Sequence, residues 1–140
     1  MKEIKKLSAG IVVIRKINVV TWLYLVLRCY RNWDFPKGLV EDGEDPFETA
    51  RRETSEETSI NDLQFSWGHS FTETQPYAGG KVARYYLATT DKVEVVFGIN
   101  PEIGGPEHHE YRWASLSDAQ ALLPERLIPV LVWVKAKLDN

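Results

Sequence analysis

Two hydrophobic periods organise this chain. Residues 10–14 and 22–27 are dense in branched and aromatic side chains, which predicts strands. Turn-forming residues follow at Arg31-Asn32 and Pro36-Lys37-Gly38. From Asp45 the period becomes helical. Asp45 can cap the first N–H groups, Pro46 suits the first helical position, and Glu48 can complete a capping box. This helix is expected to run to about Thr58, ahead of the turn-like Asn61-Asp62. Residues 65–71 and 82–89 read as strands joined by the loop 74–80, and 93–97 reads as a short strand. A Gly104-Gly105-Pro106 loop leads to a strand at 111–114. Ser117 is expected to cap a helix reaching 123, and a last helix covers about 128–138. Strands and helices mix without regular βαβ alternation, and no repeat, linker or low-complexity tract breaks them. The pattern predicts one α/β (α+β) domain over residues 1–140.

On a helix turning about 100° per residue, Phe47, Ala50, Thr54 and Thr58 form the stripe that faces the core. Glu48, Arg51 and Ser55 point to water. Glu53, Glu56 and Glu57 gather on a third face, beside the buried stripe, at offsets that make helical neighbours. Like charges so placed cost a few tenths of a kcal/mol per pair on an isolated helix, roughly, and more where the dielectric falls.

Charge sharpens this picture. Residues 38–60 carry eight acidic side chains and two arginines, although the whole chain has a net charge of only −3. A solvated acidic helix accounts for Glu48, Glu41 and Asp42. It accounts poorly for three carboxylates flanking a buried stripe with no lysine on the helix. A divalent cation relieves that repulsion, and oxygen donors suit magnesium or manganese. Gly38 and Gly43, with Pro36, build a tight loop where backbone can approach a ligand. Lys37 in that loop can meet a phosphate as a point charge.

Composition excludes other classes. The chain is 140 residues long, with 44% hydrophobic and 26% charged residues, which is ordinary for a globular protein. Its low net charge gives no reason to expect DNA or membrane-surface binding. The single cysteine, Cys29, excludes an internal disulfide and suits a reducing, cytoplasmic setting. Cys29 itself reads as a small core or edge residue. The basic N-terminal start is followed by an apolar stretch too short and interrupted for a signal peptide, and no run reaches membrane-spanning length.

The residues from Gly38 onward resemble the Nudix box, G-x5-E-x7-R-E-U-x-E-E-x-G-U with U aliphatic. Gly38, Glu44, Arg52, Glu53, Glu56, Glu57 and Ile60 occupy its positions. Thr54 stands where an aliphatic residue is usual, and Ser59 replaces the glycine. A serine forced to positive φ there costs on the order of 1 kcal/mol. "WDFPKGLVEDGEDPFETARRET" resembles the diadenosine tetraphosphate hydrolases of this family, in which Arg-Glu-Thr is common. "PEHHEYRW" resembles their glutamate ahead of an aromatic-x-tryptophan strand. The likeness is strict over 33–60 and looser elsewhere.

The resemblance implies a Nudix α/β/α sandwich with a mixed β-sheet, and magnesium-dependent (manganese-compatible) hydrolysis of a nucleoside diphosphate-linked substrate. It implies metal binding by Glu53, Glu56, Glu57, Glu107 and the Gly38 carbonyl. The general base is left open among Glu57, Glu53 and Glu107. It implies that Arg52 orients a glutamate through a paired contact and that Glu44 supports loop or metal. Lys37, Tyr77 and Lys81 fall where relatives hold phosphate or stack adenine. Diadenosine tetraphosphate cleaved to ATP and AMP is the leading substrate, by a monomer. The 5′ end of RNA, another nucleotide, and a non-catalytic binding module are the alternatives. Glu110 lies close enough in sequence to be confused with Glu107. Trp33 suits base stacking or packing, His108 and His109 suit solvent or a substrate edge, and one of Tyr85 and Tyr86 is expected to face the core.

Overall fold

The computed structural model describes residues 6–140, so the basic start at 1–5 lies outside the described residues. Its frame is a seven-stranded sheet in which β3-β2-β1-β6-β5 lie in order, with β4 paired to β1 and β7 to β2. The strands are β1 (Lys6–Lys16), β2 (Trp22–Cys29), β3 (Asn32–Asp34), β4 (Lys37–Leu39), β5 (Phe71–Glu73), β6 (Lys81–Thr89) and β7 (Glu110–Ala114). The helices are α1 (Pro46–Thr58), α2 (Leu116–Leu122) and α3 (Ile128–Leu138), with a single 3-10 turn at Glu125–Leu127 before α3. β1 and β6 run parallel while the other pairs are antiparallel, so the sheet is mixed. No helix among the described residues is long and apolar enough to cross a membrane.

The central strands are apolar on both faces because helices cover both faces. Val12, Ile14, Tyr24, Val26, Tyr85 and Leu87 pack with Ala119, Leu127, Val130 and Val134 from the α2–α3 side. Ile11, Val13, Leu25, Leu27, Tyr86 and Ala88 pack on the opposite side with Ala50 of α1 and with Ile60. This corrects the expectation for β6: Tyr85 and Tyr86 are both buried, one in each layer. Trp33 is buried in the α2–α3 layer, with the Arg112 guanidinium over its ring, so packing is its role in the fold.

Other expectations shift. Residues 93–97 form no strand. The segment lies along α1, held by Val96 N–H donating to Thr58 O and Trp113 Nε1 donating to Val93 O. Of 65–71 only Phe71 enters a strand, and the stretch around Phe65 turns back so that its ring meets Phe47. The α2 cap is Ser115, which accepts from Asp118 N–H, instead of Ser117.

β1 divides its pairing on one side. Gly10–Ser8 faces β4, whereas Ile14–Lys16 faces β2. That division brings β4 onto the sheet beside α1 and sets the start of the acidic segment against the helix that follows it.

Candidate active site

α1 begins as its sequence requires. Asp45 caps it by accepting from Glu48 N–H, with Pro46 at its first turn. Thr49, Ala50, Thr54 and Thr58 are buried, and Phe47 is half-buried against Phe65 and the His69 ring. Next to this stripe the Glu53 and Glu57 side chains are only 18% and 9% exposed, whereas Glu56 is 57% exposed. The helix ends at Ser59 with φ 62° and ψ 20°, the left-handed conformation expected for the box position that usually holds glycine. Its Oγ donates to Val96 O at 2.7 Å.

β4 lies directly over the Glu53 carboxylate. A Cβ at Gly38 would come within 2.0 Å of Glu53 Cδ, so a larger residue there would displace the Glu53 carboxylate from β4. One residue earlier, Lys37 N–H donates to Glu57 Oε2 at 3.1 Å. Together they open onto a cleft of about 950 Å³ whose walls include Glu53, Glu56, Glu57, Glu107, Lys37 and Gly38.

Arg52 answers part of the negative charge. Its Nε and Nη2 donate to the two carboxylate oxygens of Glu44 at 2.8 and 3.1 Å, a bidentate pair. Nη1 reaches Glu53 at 3.1 Å and Glu56 at 3.3 Å. Glu44 also accepts from Thr49 Oγ1 at 2.7 Å, so it ties the preceding loop to the helix. Hydrogen bonds from Arg52, then Thr49, lower the Glu44 pKa to about 2.

Glu57 has no such cation against its carboxylate. Burial, then the charges of Glu53 and Glu107, push its pKa well above the usual carboxylate range. Burial is also the main reason that Glu53 is raised, with Arg52 acting against it. His108 Nε2 lies 3.5 Å from Glu57 Oε1, and burial holds the imidazole's pKa down, toward the neutral form. Ligand atoms of Glu57, Glu107 and His108 all fall within 4.8 Å of one another. Two carboxylates and an imidazole at so small a separation, with burial penalising the charge of Glu57, fit a divalent cation.

The structure also sorts neighbours that the sequence left together. Glu110 pairs with Arg28 and Arg112 instead of lining the cleft, so Glu107 is the glutamate of this segment that does. His108 is tucked beside Glu57, while His109 stays exposed against Tyr30. Tyr77 and Lys81 do not line the cleft. They exchange backbone hydrogen bonds of 2.9 and 2.8 Å that close the loop before β6. Lys37 is the member of the expected phosphate-binding set that stands at the cleft's wall.

Two residues that the sequence did not single out complete the surroundings. Asp34 lies 3.7 Å from Lys37 Nζ and accepts from Arg126, a residue 92 positions away. Local pattern carries no signal for such a pair. Only the proximity of Asp34 to the Pro36-Lys37-Gly38 turn could have suggested it.

The NUDIX domain model matches residues 5–134. The asymmetrical bis(5′-nucleosyl)-tetraphosphatase of Rattus norvegicus is 31% identical over 123 residues, covering 80% of each chain. An RNA pyrophosphohydrolase of Rhizobium meliloti is 30% identical over 112 residues, covering 69% of this chain and 64% of its own. Among solved structures, a C. elegans Ap4A hydrolase crystallised as a binary complex superposes with a TM-score of 0.79 at 27% identity, covering 96% of this chain and 98% of that one.

Proposed function

This chain belongs to the NUDIX family of hydrolases, and on that premise we propose that it cleaves diadenosine tetraphosphate asymmetrically to ATP and AMP, as a magnesium-dependent cytoplasmic monomer. One observation carries the reading: Glu53, Glu57 and Glu107 meet in a cleft whose wall also holds Lys37. Similarity to asymmetrical tetraphosphatases supports the choice of substrate.

Glu53, Glu56, Glu57 and Glu107, with the Gly38 carbonyl, are the groups that would hold the divalent cations. A bound cation there offsets phosphate charge and lowers the pKa of a water that attacks phosphorus. The protein's own groups supply the placement. Gly38 lets the Glu53 carboxylate approach β4 without a clash, and the Lys37 N–H fixes one oxygen of Glu57. Arg52, anchored by its bidentate pair with Glu44, orients Glu53 and Glu56. Lys37 Nζ stands near enough to the cleft to meet a phosphate oxygen. Glu57, Glu53 and Glu107 are the candidate acceptors for the proton of the attacking water.

Removal of pyrophosphate from the 5′ end of RNA is the second reading, favoured by the similarity to RNA pyrophosphohydrolases. A net charge of −3 argues against long RNA, whose phosphates favour a basic surface. A product assay with diadenosine tetraphosphate, 5′-triphosphorylated RNA and nucleoside triphosphates side by side separates these readings. Oxygen-18 water identifies the phosphorus attacked. ATP and AMP as the dominant products uphold the proposal, and preferential release of pyrophosphate from RNA replaces it with the second reading.

A further inference from the structure

The carboxylates of the cleft divide by what faces them. Glu53 and Glu56 share the Arg52 guanidinium. Glu57 faces an imidazole instead. Its Oε2 accepts from Lys37 N–H, while its Oε1 stands 3.5 Å from His108 Nε2, longer than a hydrogen bond. The two side chains are 9% and 11% exposed, so both are largely withdrawn from water. The loop before β7 holds the imidazole in this place. His109 N–H donates to Arg28 O at 2.7 Å, which pins the backbone just past His108 to β2. The Phe97 ring flanks the imidazole, 6.2 Å away between centroids and tilted by 32°.

This spacing suits a shared ion better than a direct contact. A six-coordinate cation about 2.1 Å from each donor holds neighbouring donors about 3 Å apart and opposed donors about 4.2 Å apart. Ligand atoms of Glu57, Glu107 and His108, all within 4.8 Å of one another, approach that arrangement. The donor set also differs from that of Glu53 and Glu56, which offer oxygen alone. A ring nitrogen strengthens binding of manganese, cobalt or zinc more than binding of magnesium, which prefers oxygen. His109 has no share in this position, because it is exposed against Tyr30.

We propose that His108 is a direct metal ligand, completing with Glu57 and Glu107 a mixed nitrogen–oxygen position that favours manganese, cobalt or zinc over magnesium. The inference rests on the metal-binding reading of the cleft above and deepens it: the chain discriminates among divalent cations through one imidazole.

Electron spin-echo spectra of manganese bound to the whole chain, alone and with tripolyphosphate, test it. Nitrogen modulation of the manganese signal is expected in the wild type and in His109→Gln, and its loss in His108→Gln. Labelling histidine with nitrogen-15 in the unaltered chain should change the same modulation and needs no substitution. His108→Gln, whose amide can still donate to Glu57, should bind manganese about tenfold more weakly. Its magnesium affinity, read by competition, should stay within about threefold of the wild type. Bound manganese without histidine modulation overturns the ligand role and leaves the carboxylate site standing. Modulation that survives His108→Gln, or an equal loss of manganese and magnesium affinity, also overturns the proposal. A wild type that binds no manganese, even with tripolyphosphate, withdraws the metal reading of the cleft and this inference with it.

Discussion

Glu57 carries a carboxylate that folding removes from water and places near Glu53 and Glu107. Its folded pKa is raised well above the ordinary value of 4.5. For a group raised in this way, its contribution to stability is full below the unfolded pKa and is lost as pH rises through the folded one. At neutral pH Glu57 therefore supports the metal-free fold less than it does in acid. Glu57→Gln is expected to melt above wild type in chelator at neutral pH, with the gap closing in acid, while most turnover is lost. A variant that melts lower contradicts the first statement, and one that turns over normally contradicts the second. Ser59 poses a different local problem. Its left-handed backbone costs about 1–2 kcal/mol for a residue with a Cβ, and its hydrogen bond to Val96 O returns about 1 kcal/mol. Ser59→Gly loses the strain and the bond together and should unfold within about 1 kcal/mol of wild type. Ser59→Ala keeps the strain and should be destabilised by about 1 kcal/mol in denaturant titration. Gly38, Glu53, Glu57 and Ser59 were legible because box spacing fixes their positions on one turn-and-helix unit. Asp34 and Arg126 were not, because only the folded sheet brings β3 to the turn before α3.

The same contrast holds for elements. α1 announced both of its ends through Asp45, Pro46 and the polar residues after Thr58, and the structure places it at Pro46–Thr58. β3 and β4 have three residues each, too few to show a period, so they read as turns. The segment at 93–97 has the composition of a strand, but its apolar residues serve to pack irregular chain against α1. Gly98 continues that packing, since a Cβ there would come within 2.0 Å of Glu56 O. The loop ahead of α1 is held by Glu44, whose pKa is lowered from 4.5 to about 2 by Arg52 and Thr49. A group lowered on folding stabilises the native state above its unfolded pKa, and that contribution disappears as pH falls through the folded one. Wild-type stability should therefore decline between about pH 4.5 and pH 2 through this group, a decline that Glu44→Gln should show less steeply. Parallel acid-melting curves for the two proteins would remove Glu44 from the tie between loop and helix.

For the molecule as a whole, the concentration of acid in residues 38–60 has been only partly neutralised by folding. Arg52 faces Glu44, Glu53 and Glu56, but Glu57 and Glu107 converge with the neutral-leaning His108 beside them. Anything that binds this arrangement in the native state and not in the unfolded chain raises stability by mass action. At a hundred times the dissociation constant the gain is about 2.7 kcal/mol. For a chain of 140 residues each kcal/mol moves the melting temperature by about 2–4 °C, so saturating magnesium or manganese should raise it by roughly 5–10 °C. Sodium chloride at matched ionic strength should raise it far less, because screening weakens repulsion between the carboxylates without filling the space among them. Glu57→Gln should start higher in chelator and gain less from the divalent ion, and this crossing of two effects distinguishes occupation of the cleft from general screening. An unshifted melting temperature in saturating magnesium and in manganese, with AMP or ATP also present, would leave the converging carboxylates without their partner and withdraw the hydrolytic role proposed for the cleft.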